Sequence, residues 1–190
     1  INMTECSLIE ENGRAHFLTK RFDRMSGEKV HMQTLCGIAH YDYRLLRGYS
    51  YEQAFNIMRG LRLSYQEAQE MFRRVVFNVV VRNQDDHTKN ISFLMDKQGK
   101  WMLSPAYDMG YAYNPHGAWT SSHQMSINGK YDAITRADLL ELAARNNIRN
   151  ATHIIDEVCA ACADWHKIAR ECDVPQVMID QIVPNMQLSL

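Results

Sequence analysis

The sequence predicts an α+β fold in which helix predominates. Two pairs of short apolar runs, each joined across a glycine-containing turn, predict hairpins. Longer stretches carry apolar residues at intervals of three and four behind capping residues, which predicts amphipathic helices. The order is hairpin, helices, hairpin, helices, without repeats or low-complexity tracts, so strands and helices segregate instead of forming parallel βαβ units.

The elements follow in order. "CSLI" and "AHFLTK" form a first hairpin about Asn12-Gly13, a pair suited to a tight turn. "RFDRMSGEKVHMQ" has no clear period and reads as a connector. "SYEQAFNIMRG" is a helix capped by Ser50 and ending at Gly60. Ser64-x-x-Glu67 has capping-box spacing and opens a long helix. Its core face carries Ala68, Met71, Phe72, Val75, Val76, Val79 and Val80. The valines alone suit a strand, but the length and the cap decide for a helix. "ISFLM" and "WMLS" form a second hairpin with Gly99 in its turn, and "PAYDMGYAYNPHG" is an aromatic-rich loop. Thr135-x-x-Asp138 caps a further helix. Another is expected over about 152–169, with Ile154, Val158, Ala161, Cys162, Trp165 and Ile168 on one stripe. Asp173 and Pro175 start a short last helix.

The 190 residues suit one domain with a sizeable core, or one lobe of something larger. A hydrophobic fraction of 46% and a charged fraction of 23% are those of an ordinary globular chain. With 21 Lys and Arg against 22 Asp and Glu, the net charge of −1 gives no strongly basic nucleic-acid footprint, although a local basic patch stays open. The apolar runs are too short to span a membrane, and no signal-peptide pattern opens the chain. Cys6, Cys36, Cys159, Cys162 and Cys172 are odd in number and lack framework spacing, so reduced thiols in the cytoplasm are expected.

The stretch "NQDDHTKN", residues 83–90, follows the long helix. Asp85 and Asn90 enclose four residues, and Asp108 follows Asn90 by 18, heading Asp108-Met109-Gly110. Phosphoryl transfer needs one carboxylate to take the proton of the acceptor hydroxyl, and further oxygens to hold Mg²⁺ against ATP phosphates. Magnesium is a hard cation that takes oxygen ligands. The hairpin between Asn90 and Asp108 returns both to one end of the element. Kinase motifs then give Asp85 as base and Asn90 and Asp108 as Mg²⁺ ligands. Asp-x-x-x-x-Asn alone is common, and a polar turn after a helix is usually a solvated loop. A divalent-metal hydrolase using Asp85, Asp86, His87 and Asp108 is the competing enzyme class.

No His-Arg precedes Asp85, and the histidine follows at His87, so the loop is closer to that of phosphoinositide-type kinases than to that of ordinary protein kinases. "LTKRFDR", "NQDDHTKNISFL", "LSPAYDMGY" and "HQMSINGK", in that order over roughly the first two-thirds of the chain, resemble the C-terminal kinase region of HipA-type toxins. The resemblance implies a bilobal serine/threonine protein kinase using ATP and Mg²⁺, part of a bacterial toxin–antitoxin system. Implied partners are a protein substrate, aminoacyl-tRNA synthetases being among the family's targets, and a DNA-binding antitoxin through which DNA is met indirectly. Lys20, Arg21 and Phe22 match the hinge that receives adenine, and Asp23 the position near the ribose. His87 matches the histidine beside the nucleotide, and Lys89 is carried over with it as a nucleotide contact. Asp86 stands where some members have glycine.

Under that resemblance residues 1–24 are an N-lobe hairpin and hinge, and residues 25–190 a helical C-terminal lobe. Kinases also use a Gly-rich loop and a strand lysine over the phosphates. No Gly-x-Gly occurs in the chain, which begins at Ile1 and not at methionine. The expectation is therefore a kinase region lacking its N-terminal part, with little activity on its own. A non-catalytic module that binds an antitoxin–DNA complex is the alternative.

Other residues have plainer readings. Cys159, Cys162 and His166 have metal-ligand spacing, but without a fourth ligand buried structural thiols are favoured over zinc. Arg21 and Arg24 could bind phosphate or make local ion pairs. "HQMSINGK" reads as a turn about Asn128-Gly129, and Tyr107, Tyr111, Tyr113 and Trp119 as packing for their loop.

Overall fold

The computed structural model describes residues 1–25 and 27–190. Helix and strand are mixed, and 38% of the chain is helical. Strands β1 (Cys6–Glu11) and β2 (Arg14–Thr19) pair antiparallel around Asn12 and Gly13, whose positive φ of 52° and 73° gives the turn that matches strand twist. All residues of both strands are exposed.

The connector carries more structure than its sequence suggests. It holds the short pair β3 (Arg24–Met25) and β4 (Glu28–Lys29), then β5 (His31–Thr34). β5 pairs with β7 (Ser92–Met95), which pairs with β8 (Trp101–Leu103), giving a three-stranded antiparallel sheet. His-Met-Gln-Thr lacks an apolar face, and its partner lies far along the chain, so neither alternation nor a local turn marks it.

The helices start where caps place them. Thr34 caps α1 (Leu35–Ala39). Ser50, within β6 (Tyr49–Ser50), forms a capping box with Gln53 at the start of α2 (Tyr51–Gly60). Ser64 and Glu67 do the same for α3 (Tyr65–Val80). Met71, Phe72, Val75, Val76, Val79 and Val80 are at most 1% exposed, and each fully buried apolar side chain contributes about 1.5–3 kcal/mol. That burial, with the cap, outweighs the valines' mild helix penalty of less than about 0.7 kcal/mol each. β9 (Met125–Ser126) pairs parallel with β6. Thr135 and Asp138 box the start of α4 (Arg136–Arg145).

The helix expected over 152–169 is two. α5 (Ala151–Ala163) packs on α3 and stops at Asp164, from which α6 (Trp165–Glu171) departs. Aspartate has low intrinsic helix propensity, although the Asp164 side chain makes no capping bond. The break re-aims the stripe: Ile154, Val158 and Cys162 are buried, Ala161 is exposed, and Ala169 is buried in place of the half-exposed Ile168. α7 (Gln176–Ile182) and a 3₁₀ turn end the fold, and Gln187 N bonds Val80 O at 2.8 Å, closing the chain onto the end of α3. Among the described residues no helix is long and apolar enough to cross a membrane.

Candidate functional site

The polar stretch is fixed at both ends. Arg82 turns left-handed (φ 55°) after α3, and Asn83 N caps the helix on Asn78 O at 2.8 Å. Gln84 N bonds Ala112 O at 3.2 Å, and Ala112 N bonds Arg82 O at 3.1 Å. These two bonds clip the segment after Asp108 to the start of the loop. On the other side, the first amides of α1 take loop carbonyls: Cys36 N donates to Thr88 O at 3.0 Å and Leu35 N to Ile91 O at 2.7 Å.

Inside this frame Asn90 Nδ2 donates to Asp85 O at 2.9 Å. With its nitrogen so used, the amide leaves Oδ1 as the group able to meet a cation. Asp108 is exposed, has φ 56°, and is tethered through its carbonyl to Asn83 Nδ2 at 3.4 Å. Its carboxylate makes no hydrogen bond or ion pair among the described residues. Burial raises the Asp85 pKa; His87 lowers it, and the charges of Asp108 and Asp86 raise it further. His87 Nε2 lies 3.9 Å from Asp85 Oδ1. The structure thus brings Asp85, His87 and Asn90 together, with the Asp108 charge acting on Asp85.

Asp86 does something the sequence did not show. It is 3% exposed and accepts from Tyr51 Oη at 2.6 Å, His123 Nδ1 at 2.8 Å and Gln124 N at 2.7 Å. Asn78 Nδ2 donates to Tyr51 Oη at 3.0 Å, and Asn83 Nδ2 to Asn78 Oδ1 at 3.0 Å, so one polar chain runs from the loop through α3 and α2 to residues 123–124. Burial and the Asp86 charge push the Tyr51 phenol well above its ordinary pKa, keeping it a donor. "HQMSINGK" is thus a turn at Asn128-Gly129 and also, through His123 and Gln124, an anchor for the loop. These partners are 35 to 38 residues from Asp86, and no local pattern marks them.

Lys20 and Phe22 line a cleft of about 610 Å³ with Leu94, Met102 and Pro105, so the second hairpin floors it. The Phe22 ring is 5.8 Å from that of Tyr107, the residue before Asp108, and Tyr107 Oη bonds Lys89 O at 2.6 Å. Asp23 does not line the cleft. Its carboxylate is held by Arg21 and Arg24, each at 2.6 Å, and the Arg21 hydrogen bond keeps its pKa below the usual range. The two arginines therefore make local ion pairs. The Lys89 ammonium lies 4.1 Å over the Tyr43 ring. Tyr113 packs under Arg82, while Trp119 stays half exposed.

The Asn90 amide oxygen and the Asp108 carboxylate are hard donors of the kind Mg²⁺ takes alongside phosphate oxygens and waters. Among the described residues no three His, Cys, Asp or Glu side chains cluster as a metal site. Asp86 is committed to the interior, which removes one carboxylate the hydrolase reading needs. Cys162 is buried, with its thiol pushed up to about 11, and His166 lies beyond the break at Asp164.

Comparison with known proteins shows the family of the chain. The family model described as "HipA-like C-terminal domain" matches residues 1–166. "Putative kinase Y4dM" of Sinorhizobium fredii is 30% identical over 130 residues, covering 66% of this chain and 31% of that protein. "Putative kinase Y4mE" of the same organism is 31% identical over 110 residues, covering 52% and 26%. A Shewanella oneidensis MR-1 HipA, solved with HipB and operator DNA, superposes with a TM-score of 0.72 at 18% identity, over 90% of this chain and 45% of that one. The chain thus spans between a quarter and a third of the length of these curated relatives and less than half of the structural neighbour. With 166 of its residues matched in one continuous stretch, the chain belongs to the HipA-like C-terminal domain family.

Proposed function

We propose that this chain is the catalytic region of a HipA-like, ATP- and Mg²⁺-dependent serine/threonine protein kinase, with the fold of a kinase C-terminal lobe. The observation that carries the reading is the bond from Asn90 Nδ2 to Asp85 O, which fixes a cation ligand to the backbone of the base. Asp85, partly buried with a raised pKa, accepts the proton of the acceptor hydroxyl as its oxygen bonds to the γ-phosphorus and ADP leaves. Asn90 Oδ1 and Asp108 hold Mg²⁺, which when bound neutralises charge on the phosphates. Phe22 and the hairpin floor accept the adenine in the cleft, with Lys20 at its edge. His87, 3.9 Å from the base, is the histidine offered to the nucleotide, and Asp23 serves the ribose through the arginines it holds. Residues 1–24 form hairpin and hinge, and residues 25–190 the lobe. By extension from the neighbour solved with HipB and operator DNA, the partners are a DNA-binding antitoxin, DNA through it, and a protein substrate, in the cytoplasm.

Calorimetric titration of ATP with and without Mg²⁺ tests the reading. Binding should depend on Mg²⁺ and weaken at least tenfold in Asp108→Ala. No binding at millimolar nucleotide would sink the proposal and favour a non-catalytic module. The 190 residues include no Gly-x-Gly loop, so phosphoryl transfer by this chain alone should be slow. Robust autophosphorylation abolished by Asp85→Asn would overturn that expectation.

A further inference from the structure

We propose that residues 42–48 form the docking platform for the substrate's acceptor segment. The occupant is a hydroxyl-bearing peptide with an apolar side chain two or three residues from the hydroxyl and an acidic side chain beside it. The proposal rests on the reading of Asp85 as the base.

The loop is pinched off and held. Tyr41 and Tyr49 stack across its neck at 4.4 Å and 20°. Leu45 N bonds Asp42 O at 2.9 Å and Gly48 N bonds Leu45 O at 3.2 Å, two turns in succession. Arg47 sits at φ 55°, and a Cβ on Gly48 would fall 2.6 Å from the Leu45 side chain, so a larger residue there would displace that leucine. Arg47 Nε bonds Ser122 Oγ at 3.0 Å and Tyr131 Oη bonds Arg47 O, which fasten the loop to the segment that also holds Asp86.

On this constrained loop Tyr43, Leu45 and Leu46 are 38%, 58% and 40% exposed. Scattered exposed leucines are ordinary, but Leu45 and Leu46 are adjacent on a fastened loop whose Tyr43 packs on Lys89 and His87, which sets two exposed apolar groups beside the site. The surface is continuous with the site. Tyr43 meets the His87 ring edge-on at 5.8 Å, and His87 Nε2 is 3.9 Å from Asp85 Oδ1. The Tyr43 end of the platform is therefore within roughly 10 Å of the base, two to three residues of extended chain. Charge completes the match: Arg44 is paired with Asp42, whereas Lys89, over Tyr43, and Arg47 have no carboxylate partner among the described residues.

The test uses fluorescence anisotropy with two serine-centred peptides. One carries Leu at the second and third positions on both sides with Glu beyond; the other replaces these by Ala and Gln. The first should bind at least tenfold more tightly. Leu45→Asp with Leu46→Asp should erase the difference while ATP–Mg²⁺ binding is unchanged, and Leu45→Ser with Leu46→Ser repeats the test if the first pair melts early. Equal binding of the two peptides, or an unaltered preference in the variants, overturns the platform. Nucleotide binding without a leucine preference removes the platform alone, whereas a leucine preference without nucleotide binding supports the surface and removes the kinase reading.

Discussion

Asp86 Oδ2 lies 2.8 Å from His123 Nδ1, with both side chains at most 2% exposed. Asp86→Asn would turn an acceptor of three hydrogen bonds into a group that also donates, setting it against Tyr51, His123 or Gln124. Leaving such buried donors unmatched costs about 2–4 kcal/mol, which lowers Tm by roughly 6–12 °C in a chain of this size. Tyr51→Phe removes one donor and orphans Asn78 Nδ2, and should cost about 1–2 kcal/mol. Thermal melts followed by circular dichroism check both. A neutral Asp86→Asn would show that the network does not hold the loop.

Asp85 should be a site where the ionised side chain costs stability. Its pKa is raised in the folded protein, so folding favours the protonated form. That favourable contribution is present below the unfolded pKa of about 4 and is lost as pH rises through the folded value. At pH 7 the ionised carboxylate therefore opposes folding. Asp85→Asn should stabilise the chain by about 0.5 kcal/mol, a figure kept small because the side chain is 46% exposed and solvent screens it. The gain should shrink towards pH 4. A destabilised Asp85→Asn at pH 7 would contradict the raised pKa.

Asp138 has the opposite sign. Burial pushes its pKa up, but Lys130 and Thr135 outweigh that and bring it down to about 2. Its contribution is present above about pH 4 and is lost as pH falls towards 2. It joins the Thr135 cap to Lys130 in the turn that follows His123. Asp138→Asn should lose about 2 kcal/mol at pH 7, with the two stability curves converging near pH 2. Urea denaturation at pH 7, 4 and 2.5 reads this directly. Parallel curves would place the stabilisation elsewhere.

These residues also show what a sequence carries. Ser50, Ser64 and Thr135 were legible because a capping box is a three-residue relation, and Asn12-Gly13 because a turn is shorter still. The nearness of Asn90 to Asp85, and of the Asp108 charge to Asp85, was legible through spacing over one loop and one hairpin. Strand β5 and the partners of Asp86 were not, since each contact joins residues more than thirty positions apart through polar types with no period. The break at Asp164 was hidden for a different reason: the apolar stripe continues through it in sequence, and only packing shows that it has turned.

Asn90→Asp sets charge against geometry. Counting charge alone, a second carboxylate beside Asp108 should tighten Mg²⁺ binding. The structure argues otherwise, because the Asn90 nitrogen is the donor to Asp85 O at 2.9 Å. An aspartate there would set a carboxylate oxygen against that carbonyl, and the side chain would swing away, taking its oxygen out of register with Asp85. The lost bond and the repulsion should cost about 1–2 kcal/mol of stability. The affinity for ATP–Mg²⁺ should fall about tenfold despite the added charge. Calorimetry of nucleotide binding across a Mg²⁺ series separates the two accounts, and tighter Mg²⁺ binding in Asn90→Asp would show that the Asp85 carbonyl does not orient the ligand.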